Sequence, residues 1–162
     1  MRVIGVTGHV DVPEETASWV VETLTARLQE FVVPGWLGIT CLAKGADQLF
    51  AKVVLGLQGR YDVVLPARDY KQRMIEDGDA EPFCDLLDRA SGIATMPFET
   101  SSRTAYLAAS EAMLERCDVL LAVWDGRPSR RVGDTADVVD KARRRRVEVV
   151  RVWPGIPAAP GR

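Results

Sequence analysis

The sequence predicts an α/β fold, a Rossmann-like three-layer α/β/α domain around a mostly parallel six-stranded sheet. Three observations predict it. Short apolar runs alternate with stretches of helical periodicity along nearly the whole chain, as strands and crossover helices do in a parallel sheet. The runs are apolar throughout rather than alternating, as in strands buried on both faces. The 162 residues are 47% hydrophobic, enough for one domain with a real core.

The elements follow in order. Val3 to Thr7 is a buried strand ending in glycine. Pro13 suits the first turn of a helix, and Glu14 and Glu15 complement its positive end. Ala17, Val20, Val21, Leu24, Leu28 and Phe31 then recur at helical spacing until Pro34-Gly35 stops the helix. Leu37 to Leu42 is the second strand, and Ala46 to Leu57 the second helix. Asp62 to Leu65 is the third strand, closed by Pro66. Two shorter helices are expected over Asp69 to Asp77 and Glu81 to Ser91, and a weaker fourth strand over Ile93 to Met96. The helix from Arg103 to Arg116 carries Ala105, Ala108, Ala109 and Ala112 on one face, small enough for close approach to a sheet. Val119 to Trp124 is the most apolar run and is placed centrally. A last helix covers Asp134 to Arg146, and a sixth strand Glu148 to Trp153. A single domain is therefore expected over residues 1–153, and a flexible tail over residues 154–162, which hold three prolines and two glycines. The expected strand order is 3-2-1-4-5-6, with a ligand at the carboxyl ends of strands 1 and 4, where that order reverses.

Charge and cysteine content exclude several classes. The net charge is −2, from 21 basic and 23 acidic residues, so general electrostatic binding to nucleic acid is not expected. Apolar runs fall far short of the roughly 18 residues that span a bilayer, and Val3-Ile4-Gly5-Val6-Thr7-Gly8 is too short and too Gly-rich for a signal peptide to be expected there. Cys41, Cys84 and Cys117 are widely spaced, and His9 is the single histidine. No metal site, no cofactor, no membrane contact and a cytoplasmic location are expected.

Four motifs fall just after predicted strands. Gly5-Val6-Thr7-Gly8-His9 ends the first strand, and its glycines let backbone N–H groups approach an anion. The plain alternative is a tight turn, with His9 bonding its own loop. Ala43-Lys44-Gly45-Ala46-Asp47 joins the second strand to its helix. Asp47 suits a ribose hydroxyl, or simply the positive end of the helix. Ser101-Ser102-Arg103-Thr104-Ala105-Tyr106 opens a helix with a capping serine. Arg103 opposes the dipole there, so it pairs either with a ligand phosphate or with Glu99 or Asp125. Asp125-Gly126-Arg127-Pro128-Ser129, followed by Gly133-Asp134-Thr135-Ala136-Asp137, runs from the central strand into the last helix, whose N-terminus favours an anion. Here Asp134 either caps the helix or meets a ligand. The run Arg143 to Arg146 reads first as a solvated helix end, and second as a nucleic-acid contact.

Together these motifs resemble the SLOG superfamily, which groups the DNA-processing protein A (Smf) domain with the Lonely Guy proteins. The resemblance covers about Met1 to Trp153 and rests also on Val123-Trp124-Asp125-Gly126. It implies a Rossmannoid domain that binds a nucleotide or nucleotide-derived ligand as a sensor or carrier, and it implies a homo-oligomer such as a dimer. The ligand-binding residues expected are Gly8, His9, Lys44, Gly45, Asp47, Arg103, Tyr106, Asp125, Gly126, Gly133, Asp134 and Thr135. Lonely Guy proteins are phosphoribohydrolases with a PGGxGTxxE motif. Thr135 matches the motif threonine, but Arg131, Val132 and Asp134 replace the proline and two glycines, and the glutamate position falls on Val138. Asp137, one residue earlier and about 100° round the helix, is the substitute candidate for catalysis. The alternatives are such a hydrolase, or a single-stranded nucleic-acid binding module using Arg130, Arg131 and Arg143 to Arg146.

Overall fold

In the computed structural model, which describes residues 1–153, strands and helices alternate as the apolar pattern requires. The tail expected over residues 154–162 lies outside the described residues. The elements are β1 (Val3–Gly8), α1 (Glu14–Gln29), β2 (Leu37–Thr40), α2 (Ala46–Gly56), β3 (Tyr61–Leu65), α3 (Tyr70–Glu76), α4 (Ala80–Asp88), β4 (Gly92–Thr95), α5 (Arg103–Arg116), β5 (Val119–Val123), α6 (Thr135–Arg144) and β6 (Glu148–Val152). Pro13 is the residue just before α1 rather than inside it, where its missing N–H costs nothing.

All neighbouring strands pair in parallel, in the order β4-β3-β2-β1-β5-β6. This corrects the expected 3-2-1-4-5-6. β4 follows β3 outward to the sheet edge, because the short pair α3 and α4 carries the chain only one strand further. The crossover to the other side of β1 is made by α5, so β5 is the strand beside β1. The order therefore reverses between β1 and β5, and the ligand crevice expected at strands 1 and 4 belongs at strands 1 and 5. The burial of β4 agrees with its edge place: Ile93, Ala94 and Thr95 are exposed.

Side-chain alternation along the strands divides the core into two layers. Ile4, Val6, Val63, Leu65, Leu121 and Val123 face α1 to α4, where Val20, Leu24, Leu28, Phe50, Val54, Phe83 and Leu86 are buried. Val3, Ile39, Val64 and Leu120 face Ala109, Met113 and Leu114 of α5 and Val138 and Ala142 of α6. Ala105 and Ala109 are the buried alanines of α5, as its small-residue face predicts. No helix among the described residues is long and apolar enough to cross a membrane, and none of their His, Cys, Asp and Glu side chains gather in threes to hold a metal.

Candidate functional site

The carboxyl end of β1 is built for close approach. A side chain at Gly8 would lie 2.5 Å from Ala46 Cβ and 2.8 Å from Val123 O. Glycine here lets β1, β5 and the start of α2 converge. The turn that precedes α2 closes over the same point. Gly45 has φ +79°, and a Cβ there would meet the carbonyl oxygens of His9 and Val10 at 2.5 Å, so only glycine fits. The Ala46 N–H donates to His9 O at 3.2 Å, and Asp47 accepts from the Ala43 N–H at 3.2 Å. Asp47 is buried, and burial pushes its carboxyl up to about 7, outweighing the hydrogen bonds from the Ala43 and Cys41 backbone and the Thr40 hydroxyl. The nearby Cys41 thiol is also pushed up, first by burial and then by Asp47.

The loop from β5 to α6 is organised by one carboxylate. Asp134 caps α6, accepting from the Asp137 N–H at 2.9 Å, and it also accepts from Arg130 N at 2.8 Å, Arg131 N at 3.2 Å and Ser129 Oγ at 2.9 Å. Partial desolvation raises its pKa, but these donors overcome that and hold it below the ordinary carboxylate range. Asp137 accepts from the Gly133 N–H at 2.7 Å and pairs with Lys141 at 3.1 Å. At the start of the loop, Asp125 accepts from the Arg127 N–H at 3.0 Å and lies 3.8 Å from His9 Nε2. The His9 ring accepts from the Asp125 N–H at 3.4 Å and stands edge-on to Trp153.

Between these two loops lies a crevice at the β1/β5 reversal. One chamber, about 400 Å³, is lined by Gly8, His9, Asp125, Arg127, Arg130, Arg131, Asp134 and Thr135, with Trp124 and Pro128 as apolar walls. A second chamber, about 540 Å³, is lined by Lys44, Asp47, Tyr70, Met74, Tyr106, Met113 and Val138. Arg103 and Tyr106 flank a shallower hollow, about 350 Å³, that also touches Arg131, Gly133 and Asp134. Ten of the twelve residues expected at the site therefore line these cavities. Gly45 and Gly126 do not. Gly45 serves the turn described above, and a Cβ at Gly126 would strike the Arg151 guanidinium at 2.6 Å.

Asp137 lines none of the three cavities, whereas Val138 lines the second. The helix thus turns the valine toward the crevice and the aspartate toward its own loop and Lys141. Arg103 pairs with neither of its expected partners. Glu99 binds Arg68, and Asp125 faces His9 and Arg127. Among the described residues Arg103, Arg130 and Arg131 have no ion-pair partner. Arg145 is paired with Glu111, and Arg143 stacks over the Trp124 ring at 5.9 Å, so half of the arginine run is engaged in packing. Tyr70, Met74 and Met113 escaped the sequence reading. Tyr70 and Met74 stand one turn apart on α3, directly after the Pro66 that closes β3, and that spacing was the available signal.

The strand order and crevice can be set beside known structures. DNA processing protein A from Streptococcus pneumoniae superposes with a TM-score of 0.65 at 14% identity, over 96% of this chain and 52% of that one. The Helicobacter pylori protein of the same name, known in a single-stranded DNA binding mode, gives 0.64 at 13% identity, over 96% and 67%. The Moco carrier protein of Chlamydomonas rheinhardtii gives 0.54 at 19% identity, over 93% and 74%. The chain therefore shares the Rossmann-like α/β fold of these proteins. The chain spans about half the length of the Streptococcus pneumoniae protein. No protein-family model matches the chain, and neither does a curated sequence. In this chain the ends of β1 and β5 lie side by side, next to the loop that carries Arg130 and Arg131, which have no ion-pair partner among the described residues.

Proposed function

We propose that the crevice binds a phosphorylated nucleotide or nucleotide-derived ligand, and that the protein acts as a sensor or carrier. The observation that carries this reading is the group Arg103, Arg130 and Arg131, without carboxylate partners among the described residues and converging on the side-chain-free backbone of Gly133. Guanidinium groups held near bare backbone suit a phosphate, which they bind through charge-assisted hydrogen bonds. The adjoining chamber offers Tyr106, Tyr70 and Met74 to a base, and Asp47 to a sugar hydroxyl. Binding without base release is the expected behaviour, because the position matched to the Lonely Guy glutamate is Val138, which neither stabilises an oxocarbenium ion nor moves a proton.

Thermal denaturation with AMP, GMP, ADP-ribose and cyclic nucleotides tests the reading. A ligand at 100 times its Kd adds about 2.7 kcal/mol, or roughly 5–10 °C for a domain of this size. Arg103→Ala and Arg131→Ala should each reduce that shift. A flat response to every nucleotide would remove the proposal. A short single-stranded oligonucleotide in the same series tests the nucleic-acid alternative, whose mark is affinity that falls steeply with salt. Sedimentation of the ligand-free and ligand-bound protein tests the homo-oligomer implied by the resemblance.

A further inference from the structure

The crevice is divided into two chambers of similar size. At about 400 and 540 Å³, each alone reaches the range of a site for one small molecule, roughly 300–1,000 Å³. A phosphate would fill only a small part of the first. Nor are the first chamber's walls those of a site for phosphate alone: Trp124, Pro128, Val10 and the His9 ring provide flat or apolar surface there. The two chambers meet along a seam formed by Gly8, Val10, Arg131, Gly133 and Thr135. Two of these residues have no side chain, one is a guanidinium without an ion-pair partner among the described residues, and one offers a hydroxyl.

Building on the phosphate reading above, we infer that the ligand is two-headed: two ring-bearing groups joined through phosphate, with the bridge on Arg131 at the seam and one head in each chamber. Charge is distributed to match. Among the described residues Arg130, in the first chamber only, and Lys44, in the second only, have no ion-pair partner, and neither has Arg131, which belongs to both, whereas Arg127 pairs with Asp125 and Arg73 with Asp69. Tyr106, 46% exposed at the mouth of the second chamber, is free to lie against a ring there.

Calorimetric titration of the full chain with AMP, NAD, diadenosine diphosphate and the linear dinucleotide pApA tests this inference. Joining two heads turns the second contact into an intramolecular one, so at least one two-headed probe should bind about tenfold or more tighter than AMP. Arg127→Ala and Lys44→Ala, each confined to one chamber, should both weaken that probe, whereas AMP should respond to only one of them. Arg131→Ala should weaken every probe. If AMP binds and no two-headed probe exceeds it tenfold, or if the tighter probe ignores one of the two single-chamber variants, the two-headed ligand is overturned and the mononucleotide reading stands. If no probe binds at all, both readings fall together.

Discussion

The two loops that frame the crevice use the same device with opposite electrostatic results. Each follows a strand, each needs a glycine at positive φ, Gly45 at +79° and Gly133 at +92°, and each is closed by an aspartate that reaches back to loop N–H groups. Asp47 binds Ala43, and Asp134 binds Arg130 and Arg131. Asp47 is buried, so its carboxyl is pushed up to about 7. Asp134 is half-buried and surrounded by four donors, so it is held low. The lesson is that hydrogen bonds alone do not decide the charge of a clasping carboxylate. The balance of burial against donors does, and it leaves a neutral acid on one side of the crevice and a fixed anion on the other at mildly acidic pH.

The largest effect should come from breaking the buried clasp at its glycine. Gly45→Ala forces a side chain into positive φ and against two carbonyl oxygens, and should cost about 3 kcal/mol in chemical denaturation. Gly133→Ala meets only the flexible end of Leu107 at 3.1 Å and should cost about 1 kcal/mol. Equal losses would contradict the packing described for the two turns.

The charge difference is sharpened by pH. Folded Asp47 keeps its proton through the interval in which the unfolded chain has lost it. Wild-type stability should therefore decline from near pH 4 to near pH 7, by at most about 1.4 kcal/mol per unit, then level off from this source. Asp47→Asn should flatten that decline and be the more stable form above pH 7 in thermal scans. Asp134 has the reverse sign. Its contribution is complete above the ordinary carboxylate pKa and is lost as pH falls through its lower folded value. Asp134→Ala removes a helix cap and should cost about 1–2 kcal/mol at pH 7, with faster hydrogen exchange confined to Ser129–Asp137. The smallest effect is expected at Asp137→Asn. It leaves an oxygen for the Gly133 N–H and loses only the largely covered ion pair with Lys141, whose ammonium keeps Glu111 at 3.5 Å, a loss of about 1 kcal/mol.

Much of the fold was legible because apolar runs and breakers are local. Arg103–Arg116 is readable to its ends from Ser102 and the alanine face, and the central place of β5 follows from its apolar run, though not its pairing with β1. The strand order was not. Nothing within Gly92–Thr95 says which neighbour it pairs with, although its shortness and its glycine and threonine are marks of an edge. At the site, the glycine turns and the strand ends were visible in the sequence. The division of labour among the aspartates was less so. Helical spacing separates Asp137 from Val138, but which of them faces the crevice depends on how α6 lies on the sheet. That Arg103 lacks an ion-pair partner among the described residues depends on where Arg68 and His9 take Glu99 and Asp125, a matter of contacts between segments distant in sequence.

One packing detail has a practical use. Gly5 in the centre of β1 leaves a space that the Cys117 sulfur fills, since a Cβ at Gly5 would lie 2.4 Å from it. Cys117 is buried and its thiol is pushed up to about 12, mainly by burial. Its thiolate is thus scarce and sealed between the sheet and α5, among Val3, Ile39, Met113 and Leu114, so alkylation there must wait for α5 to lift from the sheet. The rate at which Cys117 takes up a label, followed by peptide mass, would serve as a native clock for the lifting of α5. A molecule seated in the second chamber, against Ala109 and Met113 of α5, should slow that clock without touching the sulfur.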